Sequence, residues 1–117
     1  MDSVCKLPTV DEVAGLMGLP PATAGKLLGM VPSRMDTILA SLRAGLDAED
    51  WEAVARDAHA AKGVCSNLRL QPMVDIVHAI EQNAKQQRLA SESQGLCNQL
   101  ERFTEELRRM LSGGSQA

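Results

Sequence analysis

An all-α fold, an antiparallel four-helix bundle with a short additional N-terminal helix across one end, is what this sequence predicts. Three observations carry that expectation. Aromatic residues are almost absent, with only Trp51, Phe103 and no tyrosine, so the core must be built from Leu, Val, Ile, Met and Ala, which suits packed helices better than a β-sandwich. From Ala22 onward apolar residues recur at three- and four-residue spacing, and no stretch alternates with the two-residue period of a strand. The breaks between these stretches are short, which joins neighbouring helices antiparallel.

The first helix follows Thr9. Thr9 with Glu12 forms a capping box, and Asp11 adds negative charge at the positive end of the helix. The run Gly18–Leu19–Pro20–Pro21 ends that helix and opens the next. From Ala22 to about Ala44 the pattern is helical through Leu27, Leu28, Met35, Ile38, Leu39 and Leu42, and Pro32 either kinks one long helix or separates two shorter ones, the kink being the favoured expectation. Asp47 is the expected N-cap of the next helix, Ala48 to Leu68, with Asp50 three residues on. Pro72 fits the first turn of a helix running to about Gln87. The last helix, about Glu92 to Leu111, carries the stripe Leu96, Leu100, Phe103, Leu107 and Leu111. Residues 1–8 are then a lead, 9–111 one bundle domain and 112–117 a flexible tail.

Composition narrows the function. A chain of 117 residues with 44% apolar content forms one globular core. A net charge of −3 without a basic block argues against nucleic acid as a partner. No apolar run approaches the roughly 18 to 20 residues of a membrane span, and the start has no signal-peptide form. Cys5, Cys65 and Cys97 are odd in number and widely spaced, as reduced cytosolic thiols are. A zinc site from these and the two histidines, His59 and His78, lacks paired ligand spacings.

One stretch stands out, Asp57 to Leu68. Gly63 sits inside a helix at a cost of about 1 kcal/mol relative to alanine. On a helical wheel Trp51, Val54, Ala55, Ala58, Ala61, Cys65 and Leu68 form the core stripe, and His59 lies about 120° from its centre, facing solvent. Lys62 and Gly63 are its i+3 and i+4 neighbours, with Glu52 and Ser66 on nearly the same line. An exposed imidazole is mostly neutral at cytosolic pH and keeps one ring nitrogen as a nucleophile. A lysine one turn away meets a phosphoryl group as a point charge. No P-loop, kinase loop or acidic metal cluster is present to bind ATP, so a phosphoryl group must come from other proteins and go to other proteins.

The run AHAAKGVCSNL, Ala58 to Leu68, resembles the signature of histidine-containing phosphotransfer (HPt) domains, in which Ala-His, two residues and Lys-Gly sit mid-helix and Asn-Leu-Gly often follows. DWEAVARDAH is similar to that family's approach to the histidine. GMVPSRMDTILASLRAGL resembles its preceding helix, proline included. The similarity spans roughly Val10 to Leu111. It implies that His59 accepts a phosphoryl group from a receiver-domain aspartate, that Lys62 stabilises it, and that Gly63 admits the partner. Ala55, Arg56, Ser66 and Glu52 then flank the docking face. The implied partners are response-regulator receiver domains, a hybrid sensor histidine kinase, or both, met by a cytoplasmic monomer without a cofactor. Arg69 stands where the family often has glycine, and Ala61 where it has a larger apolar residue. A helical adaptor that docks a kinase or receiver without carrying phosphate is the alternative; it has no need of a nucleophile. His78, off its helix's apolar stripe, reads as surface, Glu52 and Arg56 as an i,i+4 pair, and Met17, Met30, Met35, Met73 and Met110 as core filling.

Overall fold

The computed structural model describes residues 7–88 and 90–113. Among them are six helices and no strand: α1 (Val10–Met17), α2 (Pro21–Gly29), α3 (Val31–Asp47), α4 (Trp51–Asn67), α5 (Gln71–Lys85) and α6 (Ala90–Gly113). The packed pairs α3–α4, α4–α5, α5–α6 and α6–α3 close a ring, which is the four-helix bundle. Loops of a few residues join these helices, so each reverses the direction of the last. α1 packs on α2, and α2 on α3 and α6.

Local chemistry sets most of the boundaries. The Thr9 hydroxyl accepts from the Glu12 N–H at 3.1 Å while the Glu12 carboxylate accepts from the Thr9 N–H at 2.8 Å, the expected capping box. Gly18 ends α1 in the left-handed conformation, φ 69°, and Pro21 opens α2. Pro32 does more than kink a helix. The run expected as one helix separates into α2 and α3 at Met30, whose N–H turns back to the Leu27 carbonyl at 3.1 Å. Proline has no N–H to donate and its ring crowds the carbonyl four residues back, so the hydrogen-bond ladder lapses there. Met30 itself keeps right-handed helical angles, φ −84° and ψ −14°, and the break is one residue long.

Asp47 is not the cap of α4. It is the last residue of α3, and Asp50 takes the N-cap, accepting from the Ala53 N–H at 3.2 Å. The reason lies in how α3 ends. Glu49 adopts φ 55°, and the Asp50 N–H bonds the Gly45 carbonyl at 2.8 Å, the six-to-one closure that satisfies a helix C-terminus. α4 ends the same way. Arg69, at φ 61°, occupies the left-handed position usually given to glycine, and the Leu70 N–H bonds the Cys65 carbonyl at 3.0 Å. Pro72 sits in the first turn of α5 as expected. α6 extends beyond the expected Glu92–Leu111 at both ends, so the first two residues of the expected tail are helical. Residues 1–6 of the lead, with Cys5, and 114–117 of the tail lie outside the described residues.

The core is aliphatic. Leu28, Met35, Leu42, Leu46, Val54, Leu70, Met73, Ile80, Leu100 and Leu107 are fully buried. Each such side chain contributes about 1.5–3 kcal/mol of transfer free energy. α3 and α4 meet closely at Gly45, where an added Cβ would stand 2.9 Å from Val54 Cγ2. Cys65 and Cys97 are free and buried; burial pushes the Cys65 thiol up to about 12 and raises that of Cys97, so neither offers a thiolate. Among the described residues no helix is long and apolar enough to cross a membrane.

Candidate functional site

α4 turns Val54, Ala58, Ala61 and Cys65 inward, all fully buried, with Leu68 nearly so and Trp51 half-buried at its start. Ala58 and Ala61 are small, which lets a neighbouring helix approach closely. That neighbour is α5, and together they form the most extensive helix pair of the bundle. The outer face of α4 presents His59, whose side chain is 72% exposed.

Across from it α5 supplies Glu81, a carboxylate only 6% exposed. Three groups converge on this one anion. His59 Nδ1 lies 3.2 Å from Glu81 Oε2, Lys62 Nζ 2.9 Å from Oε1, and Lys85 Nζ 3.5 Å from Oε2. Burial alone pulls the Glu81 carboxyl upward, but Lys62, by hydrogen bond and charge, with the Lys85 charge and the His59 hydrogen bond, outweighs it and holds the carboxyl below its ordinary range. Glu81 is therefore an anion at neutral pH. A carboxylate only accepts, so the neutral imidazole donates its Nδ1–H to it. The lone pair is then on Nε2, at the exposed side of the ring.

Gly63 lies one turn on from His59. A Cβ added there meets no atom within 4 Å, so no neighbouring helix requires the glycine. Its bare backbone forms part of the floor of a shallow groove of about 630 Å³ between α4 and the α2–α3 junction, walled by Met17, Leu27, Met30, Val64 and Arg34. Met35 and Met73 are core residues, as expected, but Met30 is 59% exposed in this groove and is not core filling. The one-residue break at Pro32 accounts for that, because it leaves Met30 outside both helical ladders at the bundle surface.

Among the residues singled out in the sequence, His59 and Lys62 come together around Glu81, and Gly63 opens on the groove. Glu52, Arg56 and Ser66 are exposed along the same helix and Ala55 is half-buried against the core; none of the four lines the groove. Glu52 and Arg56 do not pair, since both side chains stand in solvent without an ion-pair partner among the described residues. His78 is exposed, as expected. Glu81 and Lys85 escaped the sequence reading. The available signal was a charged residue within the apolar stripe of α5, four residues after Val77 and three before Ala84. Among the described residues no group of His, Cys, Asp and Glu has the arrangement to hold a metal ion.

The model of the Hpt domain family matches residues 26–113, which includes all four bundle helices. The chain belongs to the Hpt domain family. In keeping with that membership, it superposes on the crystal structure of histidine-containing phosphotransfer protein B (HptB) from Pseudomonas aeruginosa PAO1 with a TM-score of 0.80. The two are 26% identical, over 97% of each chain. A search of curated proteins returned no match. The mid-helix Ala-His-x-x-Lys-Gly stretch lies inside the matched Hpt region, on α4.

Proposed function

We propose that this Hpt protein carries a phosphoryl group on His59 within a multistep phosphorelay, taking it from the aspartate of one receiver domain and passing it to that of another. The observation that carries this reading is the exposed imidazole whose Nδ1 meets a buried carboxylate, leaving Nε2 open to a partner. In the transfer, Nε2 attacks phosphorus in line with the receiver's acyl-phosphate oxygen. The N–P bond forms as the O–P bond breaks, and the electron pair leaves on the receiver's carboxylate. The ring becomes cationic as it is phosphorylated, and Glu81 stabilises the Nδ1–H that bears this charge, the part an aspartate has in a Ser-His-Asp triad. Lys62 turns from Glu81 toward the phosphoryl oxygens, whose charge of roughly −1.5 to −2 draws it (by analogy with other phospho side chains).

Gly63 and the groove beside it admit the receiver. The groove's apolar walls supply area for docking, and Glu52, Ala55, Arg56 and Ser66 extend the contact along α4. In this reading the chain works in the cytoplasm as a monomer and needs no ATP of its own, since the phosphoryl group arrives already activated. The experiment is incubation with a phosphorylated receiver domain. The parent takes up acid-labile, base-stable phosphate; His59→Gln takes up none and keeps its helical circular dichroism; His78→Gln behaves as the parent. An adaptor would bind the receiver with no label in any variant, and label surviving in His59→Gln would reject the assignment.

A further inference from the structure

The groove at Gly63 is apolar but for one charge. Met17, Leu27, Met30 and Val64 dominate its walls, and Arg34 alone among the lining residues is ionised. Arg34 stands in the first turn of α3, exposed, and its side chain has no ion-pair or hydrogen-bond partner among the described residues. Nothing in its own helix answers that charge. α3 holds two acids: Asp36 is taken by Arg108 of α6 at 2.8 Å, and Asp47 is at the far end. A cation in a first turn gains nothing from the helix dipole either. The groove, however, places this guanidinium against a partner. Gly63, on the groove floor, is four residues from His59, about 6 Å along the helix at 1.5 Å per residue. A protein that brings its acyl phosphate to Nε2 and covers Gly63 stands over the same groove, with Arg34 against its surface.

We propose that Arg34 decides which receiver this chain serves: its guanidinium pairs with a carboxylate on the receiver's docking surface, so a receiver with an acid there is preferred and one with a basic residue there is rejected. This rests on His59 being the phosphoacceptor and on the groove being where the receiver docks. The apolar walls hold any surface of fitting shape, and shape alone discriminates little between receivers. Specificity is a difference of affinities, and a single charge in an apolar surround supplies it in both directions. Docking strips water from the guanidinium, which strengthens its attraction to a carboxylate and makes an opposed cation costly. The planar fork also takes a carboxylate through two parallel hydrogen bonds, a geometry that lysine lacks.

The test uses the full chain and a phosphorylated receiver domain that labels the parent, with receiver concentration varied at low ionic strength. Arg34→Ala should raise the concentration needed for half-maximal transfer about three- to ten-fold, and Arg34→Glu at least about thirty-fold, with the maximal rate kept. Arg34→Lys should fall between the parent and Arg34→Ala, and the Arg34→Ala loss should shrink in high salt. The deciding arm reverses the partner. Aspartates and glutamates around the receiver's phosphoacceptor aspartate, but not that residue itself, are changed one at a time to lysine. One such receiver should transfer poorly to the parent and regain most of its transfer with Arg34→Glu. Parent-like transfer by both Arg34→Ala and Arg34→Glu would overturn the proposal, as would a loss confined to the maximal rate, or one that no reversed receiver residue restores. Label that persists in His59→Gln would instead overturn the phosphoacceptor reading beneath it.

Discussion

Replacing Gly63 separates what the glycine does for the fold from what it does for a partner. The position is helical, exposed, and has open space where a Cβ would go. Gly63→Ala therefore gains the helix propensity difference, about 1 kcal/mol, with no clash to offset it. With an unfolding entropy near 2.1 cal/mol/K per residue, a chain of 117 residues melts about 4 °C higher for each 1 kcal/mol gained. Gly63→Gln should be stabilised almost as much, because glutamine is a good helix former. Thermal melts followed by circular dichroism measure both. Transfer from a phosphorylated receiver should then diverge from stability. The alanine variant should transfer somewhat more weakly, and the glutamine variant poorly, with the loss in apparent affinity as receiver concentration is varied. A glutamine variant that transfers like the parent would refute the steric account. An alanine variant that melts no higher would refute the claim that the fold has no use for this glycine.

Two further predictions concern the fold around the site. Arg69→Gly relieves a non-glycine residue held at φ 61° and should raise stability by about 1 kcal/mol, read as a melting shift of about 4 °C; no shift would mean that the arginine side chain compensates for its backbone. Glu81 titrates below its ordinary value in the folded state, so its stabilising contribution is complete above the unfolded value of 4.5 and is lost as pH falls through the lower folded value. Urea unfolding of the parent and of Glu81→Gln at pH 7 and at stepped values below 4.5 should show the parent losing more stability than the variant on acidification, and parallel curves would contradict the ion-pair account.

Local chemistry decided a great deal of this protein by itself. The capping box at Thr9, the left-handed stop at Gly18 and the proline in the first turn of α5 involve residues within one or two turns of each other, so the sequence shows them without knowledge of the fold. The same holds for the outer face of α4. His59, Lys62 and Gly63 are neighbours at i+3 and i+4 in any helix, and the buried Ala58 and Ala61 beside them orient that helix. Where two local signals competed, spacing could not choose. Asp47 and Asp50 are both good caps, and the outcome turned on α3 closing through Glu49 and Gly45 against α4. Pro32 was compatible with a kink or a break for the same reason. The carboxylate beneath the imidazole was decided at a greater distance. Glu81 is 22 residues from His59, and only the packing of α5 on the small residues of α4 sets its height along the bundle. With that register come the Nδ1–H contact, the anchoring of Lys62, the second cation Lys85 and, on the other side of α4, the groove at Met30. Those contacts depend on many weak side-chain contacts summed across helices, and no window of sequence contains that sum.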